Sequence, residues 1–280
     1  MEPQTPLSET PNNLSFTSVS TKHRHEFHKI GNNLVCSCGK KKLALVESGT
    51  PGIMVGMRSD GKKYSVRQNR MRYLFPDEWK KIESLLKKDH HTLLYNTLLH
   101  TGARIMEALH LKPSSFNFER ETVNFTVVKQ RKAKRQYYAT KTGREFFVSP
   151  NYLKKIKRFI VKHKIEDDQY IFLDNSRLPA NYDSLENKEK KKYYHPATVS
   201  YGAMLRRKCR KAKLKNPDEI ALHNLRKTYG SVMRVFQLEV AEICYRLGND
   251  QDTFMTHYGS SLIYTRDEIL EWQRIFGRVK

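Results

Sequence analysis

Tyr258 is the residue whose sequence surroundings most strongly suggest chemistry. It follows Asn249 by nine residues, and Arg104, His223 and Arg226 precede it in that order. Two arginines can hold the non-bridging oxygens of a phosphate and offset the charge on a pentacoordinate phosphorus. A tyrosine can attack that phosphorus once it loses its proton, and a histidine can accept the proton. These residue types are what an enzyme needs to attack a phosphodiester with its own side chain.

The charge of the chain indicates a polyanionic partner. Its 280 residues include 52 Lys and Arg against 29 Asp and Glu, a formal net charge of +23. Each phosphate neutralised by Lys or Arg releases counterions, so nucleic acid is the leading candidate partner. An anionic membrane, a charge that serves only solubility, and a ribosome-bound structural role are the alternatives. The membrane is the weakest of these, because no apolar run approaches the roughly 18 residues of a spanning helix and no signal sequence is present.

The cysteine content indicates a cellular compartment, and the hydrophobic content indicates a folded chain. Four cysteines do not form a disulfide framework, which fits a reducing compartment. Hydrophobic residues make up 38% of the chain, enough for a folded core. We therefore expect a cytoplasmic protein associated with DNA.

Composition divides the chain into four parts. Residues 1–20 are rich in Pro, Ser, Thr and Asn and are expected to be a flexible leader. Residues 21–47 contain clustered His and Cys and are interpreted as a small module. Residues 48–73 are interpreted as a basic linker, because glycines interrupt every possible helix. Residues 74–280 have the length of one catalytic-sized domain.

This larger domain is predicted to be α+β and mostly helical, with one small antiparallel sheet. β-branched and aromatic residues favour strands over 122–128 and 137–148. The charged segment 181–192 is predicted to be an exposed loop. Apolar residues at three- and four-residue spacing predict helices from Pro76, over 91–99, from the 101–102 turn to Pro113, and over 150–164, 197–213, 222–235, 239–247 and 265–276.

Four short motifs resemble those of the tyrosine recombinases, the phage integrase class of DNA strand-exchange enzymes. Residues 101–107 match the family's Thr-Gly-x-Arg-x-x-Glu box, and residues 223–228 match His-x-Leu-Arg-x-Thr. Leu-Gly-His followed by the nucleophilic Tyr stands here as residues 247–249 with Tyr258. Residues 140–143 read Thr-Lys-Thr-Gly, the context of the family's hairpin lysine. The four motifs occur in the family's order.

The resemblance, which covers residues 74–276, implies a site-specific recombinase or integrase that cuts and rejoins DNA without ATP. Tyr258 is then the nucleophile that forms a 3′-phosphotyrosyl link. Arg104 and Arg226 hold the phosphate, and His223 accepts or relays the tyrosine proton.

The resemblance also implies a leaving-group acid and an assembly. Lys141 would protonate the departing 5′-oxygen from a mobile hairpin, and the chemistry needs no metal or other cofactor. Double-stranded DNA is then the partner, and four protomers on two DNA sites are expected, with the helix over 265–276 a candidate for docking on a neighbour. Two other functions remain open: topoisomerase relaxation of the type IB kind, and non-catalytic DNA binding on an integrase scaffold.

Asn249 departs from the family pattern, in which His or sometimes Trp is usual. An asparagine can donate a hydrogen bond to a phosphate oxygen but cannot exchange a proton, so we assign it positioning only. An ordinary turn residue after Gly248 is the alternative.

Three further assignments have rivals. Tyr264 competes with Tyr258, although the nine-residue spacing favours Tyr258. Glu107 is expected to orient Arg104 or a neighbour rather than to act on substrate. The rivals of Lys141 lie in the same region, namely Lys129, Lys132 and Lys134.

The N-terminal module contains a possible structural zinc site. His25, His28, Cys36 and Cys38 supply four suitable ligands. The Cys-x-Cys spacing is tighter than in a usual zinc knuckle, and His23 is a rival ligand. A basic, His-rich arm that touches DNA, with two free thiols, is the alternative. The segment before the larger domain is too short for the family's usual helical DNA-clamping module, which we expect to be absent or replaced.

Overall fold

The structure is a computed structural model of the chain. In the N-terminal segment it describes the backbone of six short strands between residues 27 and 67. Beyond these it describes residues 73–125, 143–214, 217–258 and 263–277, apart from the side chains of Thr256 and His257.

The N-terminal strands form two three-stranded antiparallel sheets, β1-β2-β3 and β4-β5-β6. Strands β5 and β6 pair along their whole length, from Ile53 opposite Arg67 to Met57 opposite Lys63. This pair lies within residues 48–73, so the segment interpreted as a linker contains a β-hairpin. The strands are β1 (Phe27–Ile30), β2 (Asn33–Cys36), β3 (Lys41–Leu43), β4 (Val46–Glu47), β5 (Ile53–Met57) and β6 (Lys63–Arg67).

The described part of residues 73–277 contains nine α-helices and a three-stranded antiparallel sheet, which confirms the predicted α+β, mostly helical class. None of the helices that the structure describes is long and apolar enough to cross a membrane. The helices are α1 (Pro76–Ser84), α2 (Asp89–Thr101), α3 (Ile105–Leu109), α4 (Pro150–His163), α5 (Asn187–Lys211), α6 (Leu222–Val235), α7 (Val240–Leu247), α8 (Gln251–His257) and α9 (Arg266–Phe276). The strands are β7 (Phe116–Asn117), β8 (Thr122–Phe125) and β9 (Arg144–Phe147), in the order β7-β8-β9.

Two helices differ from the sequence prediction. Helix α5 begins at Asn187, within the segment predicted to be a loop, because Lys and Glu are good helix formers and an exposed helix tolerates them all round. Helix α8 was not predicted. Its signal was Asp250, whose side chain caps the helix by accepting a hydrogen bond from the Thr253 backbone N at 2.6 Å.

Helix α6 is the central helix of the larger domain. It contacts α2, α5, α7 and α9, and most of its residues are buried. Leu225 and Val232 are fully buried on it, and Thr228 Oγ1 accepts a hydrogen bond from the Leu74 backbone N at 3.0 Å. The buried side chains on this helix therefore have orientations fixed by the surrounding core.

Helix α9 is packed within its own chain. It contacts α1 and α6, and Trp272 and Phe276 are fully buried. The Phe276 ring lies 4.8 Å from the ring of His100 on α2. Burial lowers the pKa of His100 to about 3, so this imidazole packs as a neutral ring. Docking of α9 on a neighbour, which the resemblance led us to expect, stays a prediction; the buried face with Trp272 and Phe276 is occupied within the chain, whereas Leu270 is exposed.

Helix α6 also buries a lysine. The side chain of Lys227 is almost inaccessible, and its ammonium lies 4.8 Å from the centre of the Tyr73 ring, a cation–π contact. Burial lowers the pKa of Lys227 from 10.5 to about 7. Between about pH 7 and 10.5, Lys227 is therefore mostly neutral in the folded chain and mostly protonated in the unfolded chain.

This difference should make the stability depend on pH. Between about pH 7 and 10.5 the unfolded state binds more protons, so the free energy of unfolding rises with pH. We expect the wild type to gain stability relative to Lys227→Met over this range, by at most about 1.4 kcal/mol per pH unit. Urea unfolding of both proteins at several pH values measures the gap. The exposed Lys191→Met is the matched control and should show no such trend; a pH-independent gap for Lys227→Met would contradict the prediction.

Candidate active site

Arg104 stands immediately before α3 and is held by Glu107, one turn later. The Arg104 backbone N donates to Glu107 Oε2 at 2.7 Å, and Arg104 Nη1 donates to Oε1 at 3.0 Å. The side chain of Glu107 is 4% exposed and that of Arg104 is 41% exposed. The carboxylate is thus internal, while the guanidinium it holds reaches solvent, where a substrate can contact it.

Arg226, on α6, is fully buried and fixed by backbone carbonyls. Its Nη1 donates to Gly102 O at 2.6 Å and its Nη2 donates to Leu247 O. Burial and the neighbouring Arg104 lower the pKa of Arg226 to about 10. The guanidinium therefore remains charged at neutral pH.

Two glycines end the helices that supply these carbonyls. Gly102 has φ +63° after α2, and Gly248 has φ +59° after α7. A Cβ atom at Gly102 would lie 2.4 Å from the Tyr229 ring, and one at Gly248 would lie 2.0 Å from Arg144 Nη1. Both conformation and space thus require glycine. The second turn also directs the Gly248 carbonyl to Arg104 Nη2, at 3.1 Å.

Asn249 links the two arginines. Its Oδ1 accepts from Arg104 Nη2 and from Arg226 Nη2, each at 3.0 Å. Its Nδ2 is buried and has no hydrogen-bond partner among the residues that the structure describes. The sequence led us to expect Asn249 to act through a donated hydrogen bond. In the structure its oxygen is engaged instead, and two cations point at one neutral acceptor.

Tyr258 meets His223 beside this arginine pair. The Tyr258 hydroxyl lies 3.0 Å from His223 Nε2, and the Arg226 guanidinium lies 5.9 Å from the centre of the Tyr258 ring. Tyr258 is 5% exposed, whereas His223 is exposed. Phe254 stacks parallel to the Tyr258 ring at 6.2 Å, and Ser231 Oγ donates to the Tyr258 carbonyl at 3.0 Å. The phenol is therefore held at the edge of the core with its hydroxyl directed at an imidazole.

The structure thus brings five of the six candidate residues together: Arg104, His223, Arg226, Asn249 and Tyr258. Tyr264, the rival nucleophile, donates its hydroxyl to Leu74 O at 3.2 Å within the core. Lys141 and its three rivals lie outside the described residues, so the leaving-group acid stays a prediction.

No metal site is found in the described part of the chain, where no three His, Cys, Asp or Glu residues cluster suitably. The predicted zinc ligands lie outside it. His25 and Cys38 are not described at all, and for His28 and Cys36 only the backbone is. The zinc site stays a prediction.

Arg144 is the site residue that sequence reasoning missed. It is 6% exposed, and its Nη2 lies 2.8 Å from Glu107 Oε2. Burial alone would raise the pKa of Glu107, but Arg144 and Arg104 hold it below its usual value. A signal was present: Arg144 and Phe146 are two residues apart in a strand and so share its buried face.

Comparisons with known proteins bear on the fold and the family. Residues 72–262 match the model of the phage integrase family. Similar solved structures include XerA recombinase, at 17% identity and TM-score 0.49, with 75% of this chain and 66% of that chain covered. Another is an integrase of the transposon Tn1549 in complex with a circular intermediate DNA, at 18% identity and TM-score 0.50, with 73% and 66% covered.

The chain spans just under two thirds of the length of these two structures. A search of curated proteins gave no match. At such identities a structural likeness shows the fold alone, and the family follows from the sequence model. Because that model matches well over half of its residues, the chain belongs to the phage integrase family.

Proposed function

We propose that the protein is a site-specific DNA recombinase or integrase that cuts and rejoins strands through a phosphotyrosyl intermediate. One observation carries the proposal. The Tyr258 hydroxyl lies 3.0 Å from His223 Nε2, beside two arginines whose donors converge on one oxygen. A nucleophile, a proton acceptor and an anion clamp are thus adjacent, as phosphodiester attack requires.

Cleavage would proceed by a single displacement at phosphorus. His223 Nε2, unprotonated, accepts the proton as the Tyr258 oxygen attacks, and the bond from phosphorus to the 5′-oxygen breaks. We assign the proton for that oxygen to Lys141. The 3′-phosphotyrosyl ester conserves the bond energy, so ATP is not needed. Rejoining is the reverse: a 5′-hydroxyl of the second strand attacks the ester and Tyr258 recovers its proton.

The contacts of Asn249 suggest how the clamp receives its phosphate. Arg104 and Arg226 both donate to Asn249 Oδ1, so a non-bridging phosphate oxygen that took this place would meet two charged donors at once. Rotation of the amide would then bring Nδ2, which lacks a partner among the described residues, towards the phosphate. Asn249 would thereby change from accepting hydrogen bonds from the two arginines to donating one to the phosphate.

Double-stranded DNA is the proposed partner. The net charge of +23 and the arginine clamp support it. The Tn1549 integrase, a structural neighbour, was solved in complex with DNA. We further propose that four protomers act on two DNA sites.

Covalent trapping tests the proposed function. The probe is a pool of nicked duplexes with a randomised core, in which loss of a short fragment stops rejoining and lets the adduct accumulate. We expect the wild type to give a protein–DNA adduct in denaturing gels and Tyr258→Phe to give none. Tyr264→Phe is the matched control and should keep the adduct.

Other outcomes would contradict parts of the proposal. An adduct that persists in Tyr258→Phe would overturn the nucleophile. DNA binding without any wild-type adduct would favour a non-catalytic DNA-binding protein. Relaxation of a supercoiled plasmid without strand exchange would favour a type IB topoisomerase activity.

Substitutions at Asn249 test its exchange with phosphate. Asn249→His can still donate to a phosphate oxygen, so we expect it to be tolerated. Asn249→Ala loses the hydrogen bond that Nδ2 would donate to the phosphate, and it should slow adduct formation about 10-fold. Asn249→Asp puts an anion against both arginines, which competes with phosphate and should slow it by on the order of 100-fold or more. Adduct formation rates on one recovered duplex measure this series; equal rates for Asp and Ala would contradict the exchange.

The role of Lys141 can be tested with a 5′-bridging phosphorothiolate, in which sulfur replaces the departing oxygen. A thiol is far more acidic than an alcohol, with a pKa of about 8.5, so it leaves without a proton donor. We expect Lys141→Ala to cleave the ordinary duplex poorly and the phosphorothiolate at close to the wild-type rate. Arg104→Ala should stay slow on both. Rescue of Lys132→Ala instead of Lys141→Ala would move the assignment to that rival.

A further inference from the structure

The scheme above does not use Arg144, the buried arginine at the start of β9. Its Nη2 forms an ion pair with Glu107 Oε2 at 2.8 Å, and both side chains are less than a tenth exposed. The guanidinium also packs directly on the Gly248 backbone, where an added Cβ would lie 2.0 Å from Nη1. A buried cation with an ion pair and a close backbone contact must have a structural or a functional role.

Arg144 and Arg104 are linked through one carboxylate. Glu107 Oε1 accepts from Arg104 Nη1, while Oε2 accepts from the Arg104 backbone N and faces Arg144 Nη2. The orientation of this carboxylate therefore depends on both guanidiniums. If Arg144 were removed, Oε2 would lose this ion pair, and the carboxylate would be held, among the described residues, by Arg104 alone.

The same two arginines are linked a second time, through the turn after α7. The Gly248 carbonyl accepts from Arg104 Nη2 at 3.1 Å, and the other side of this glycine packs on Arg144. Asn249, the next residue, carries the oxygen on which Arg104 and Arg226 converge. Arg144 therefore occupies the space beside this turn.

We propose that Arg144 is a positioning residue for the phosphate clamp: through Glu107 and the Gly248 turn it fixes where Arg104 and Asn249 stand. Arg144 itself does not contact DNA in this account. The inference rests on the proposed function, since a clamp matters only if a phosphate is bound there.

Two simpler roles must be distinguished from this one. Arg144 could serve only stability, as any buried ion pair does. It also lies three residues after Lys141, so it could act on the segment that bears the leaving-group acid. The three roles differ in what happens to cleavage, to stability and to the phosphorothiolate substrate.

The test compares Arg144→Gln, Arg144→Lys and a matched control, Arg246→Gln. Arg246, on α7, is also an internal arginine, with a side chain 3% exposed that pairs with Glu242 at 2.5 Å and lies 5.7 Å from the Phe146 ring on β9. For each variant we would measure single-turnover cleavage of a duplex recovered by trapping, in its ordinary form and as the phosphorothiolate. DNA affinity and thermal unfolding would be measured alongside.

We expect Arg144→Gln to slow cleavage by on the order of 100-fold, as a misplaced clamp does, with DNA affinity little changed. The phosphorothiolate should not restore its rate, in contrast to Lys141→Ala. Arg144→Lys keeps the charge and should recover part of the rate. Arg246→Gln should lose thermal stability but cleave near the wild-type rate while folded.

A double-mutant cycle with Glu107→Gln tests the route. If Arg144 acts through this carboxylate, the double variant should be about as slow as the slower single variant, rather than showing the product of both losses. Multiplied losses would place the effect of Arg144 elsewhere.

The remaining outcomes overturn the inference. Wild-type rates in Arg144→Gln, or losses equal to those of Arg246→Gln and proportional to lost stability, would leave only a structural role. Rescue by the phosphorothiolate would assign Arg144 to the Lys141 segment. Absence of any adduct from the wild type would instead sink the proposed function, and the inference with it, so the two failures are distinguishable.

Discussion

Two guanidinium groups contact one internal carboxylate and a third lies close enough to act on it electrostatically, and the rest of the site has to offset this concentration of positive charge. Arg104, Arg144 and Arg226 all act on Glu107, which lies almost entirely inside the protein. Cations placed this close repel one another strongly where water is excluded. A single carboxylate does not neutralise three of them, so further negative polarity has to come from the fold.

The ends of two helices supply it. The last carbonyls of any helix lack partners within it and carry a partial negative charge. Here Gly102 at the end of α2, and Leu247 and Gly248 at the end of α7, direct their carbonyls to Arg226 and Arg104. One arrangement thus satisfies the helix ends and stabilises the crowded cations. This arrangement requires Gly102 and Gly248, because both adopt the left-handed conformation at positions where no side chain would fit.

Sequence alone predicted several local features around this site, and the features that it missed have physical causes. Helix α6 was predicted with its observed bounds, and Arg104 with Glu107 as a pair on one face, since both follow from local periodicity. The start of α5 was missed because an exposed helix and an exposed loop share a charged composition. Arg144 was overlooked because its contact with Glu107 depends on how the strand that carries it is placed against α3. The accepting role of Asn249 depends on Arg104, which lies 145 residues away in the sequence.

The burial of Tyr258 has a consequence for time rather than for geometry. The phenol is 5% exposed and stacked on Phe254. Under the proposed function, an ester formed on this ring would be shielded from bulk water on the side that packs against the core, which disfavours hydrolysis as a side reaction. The lifetime of a broken strand would then be set by the arrival of a second DNA end rather than by leakage to solvent. A packed aromatic ring would thereby determine how long an open break can be held without being lost.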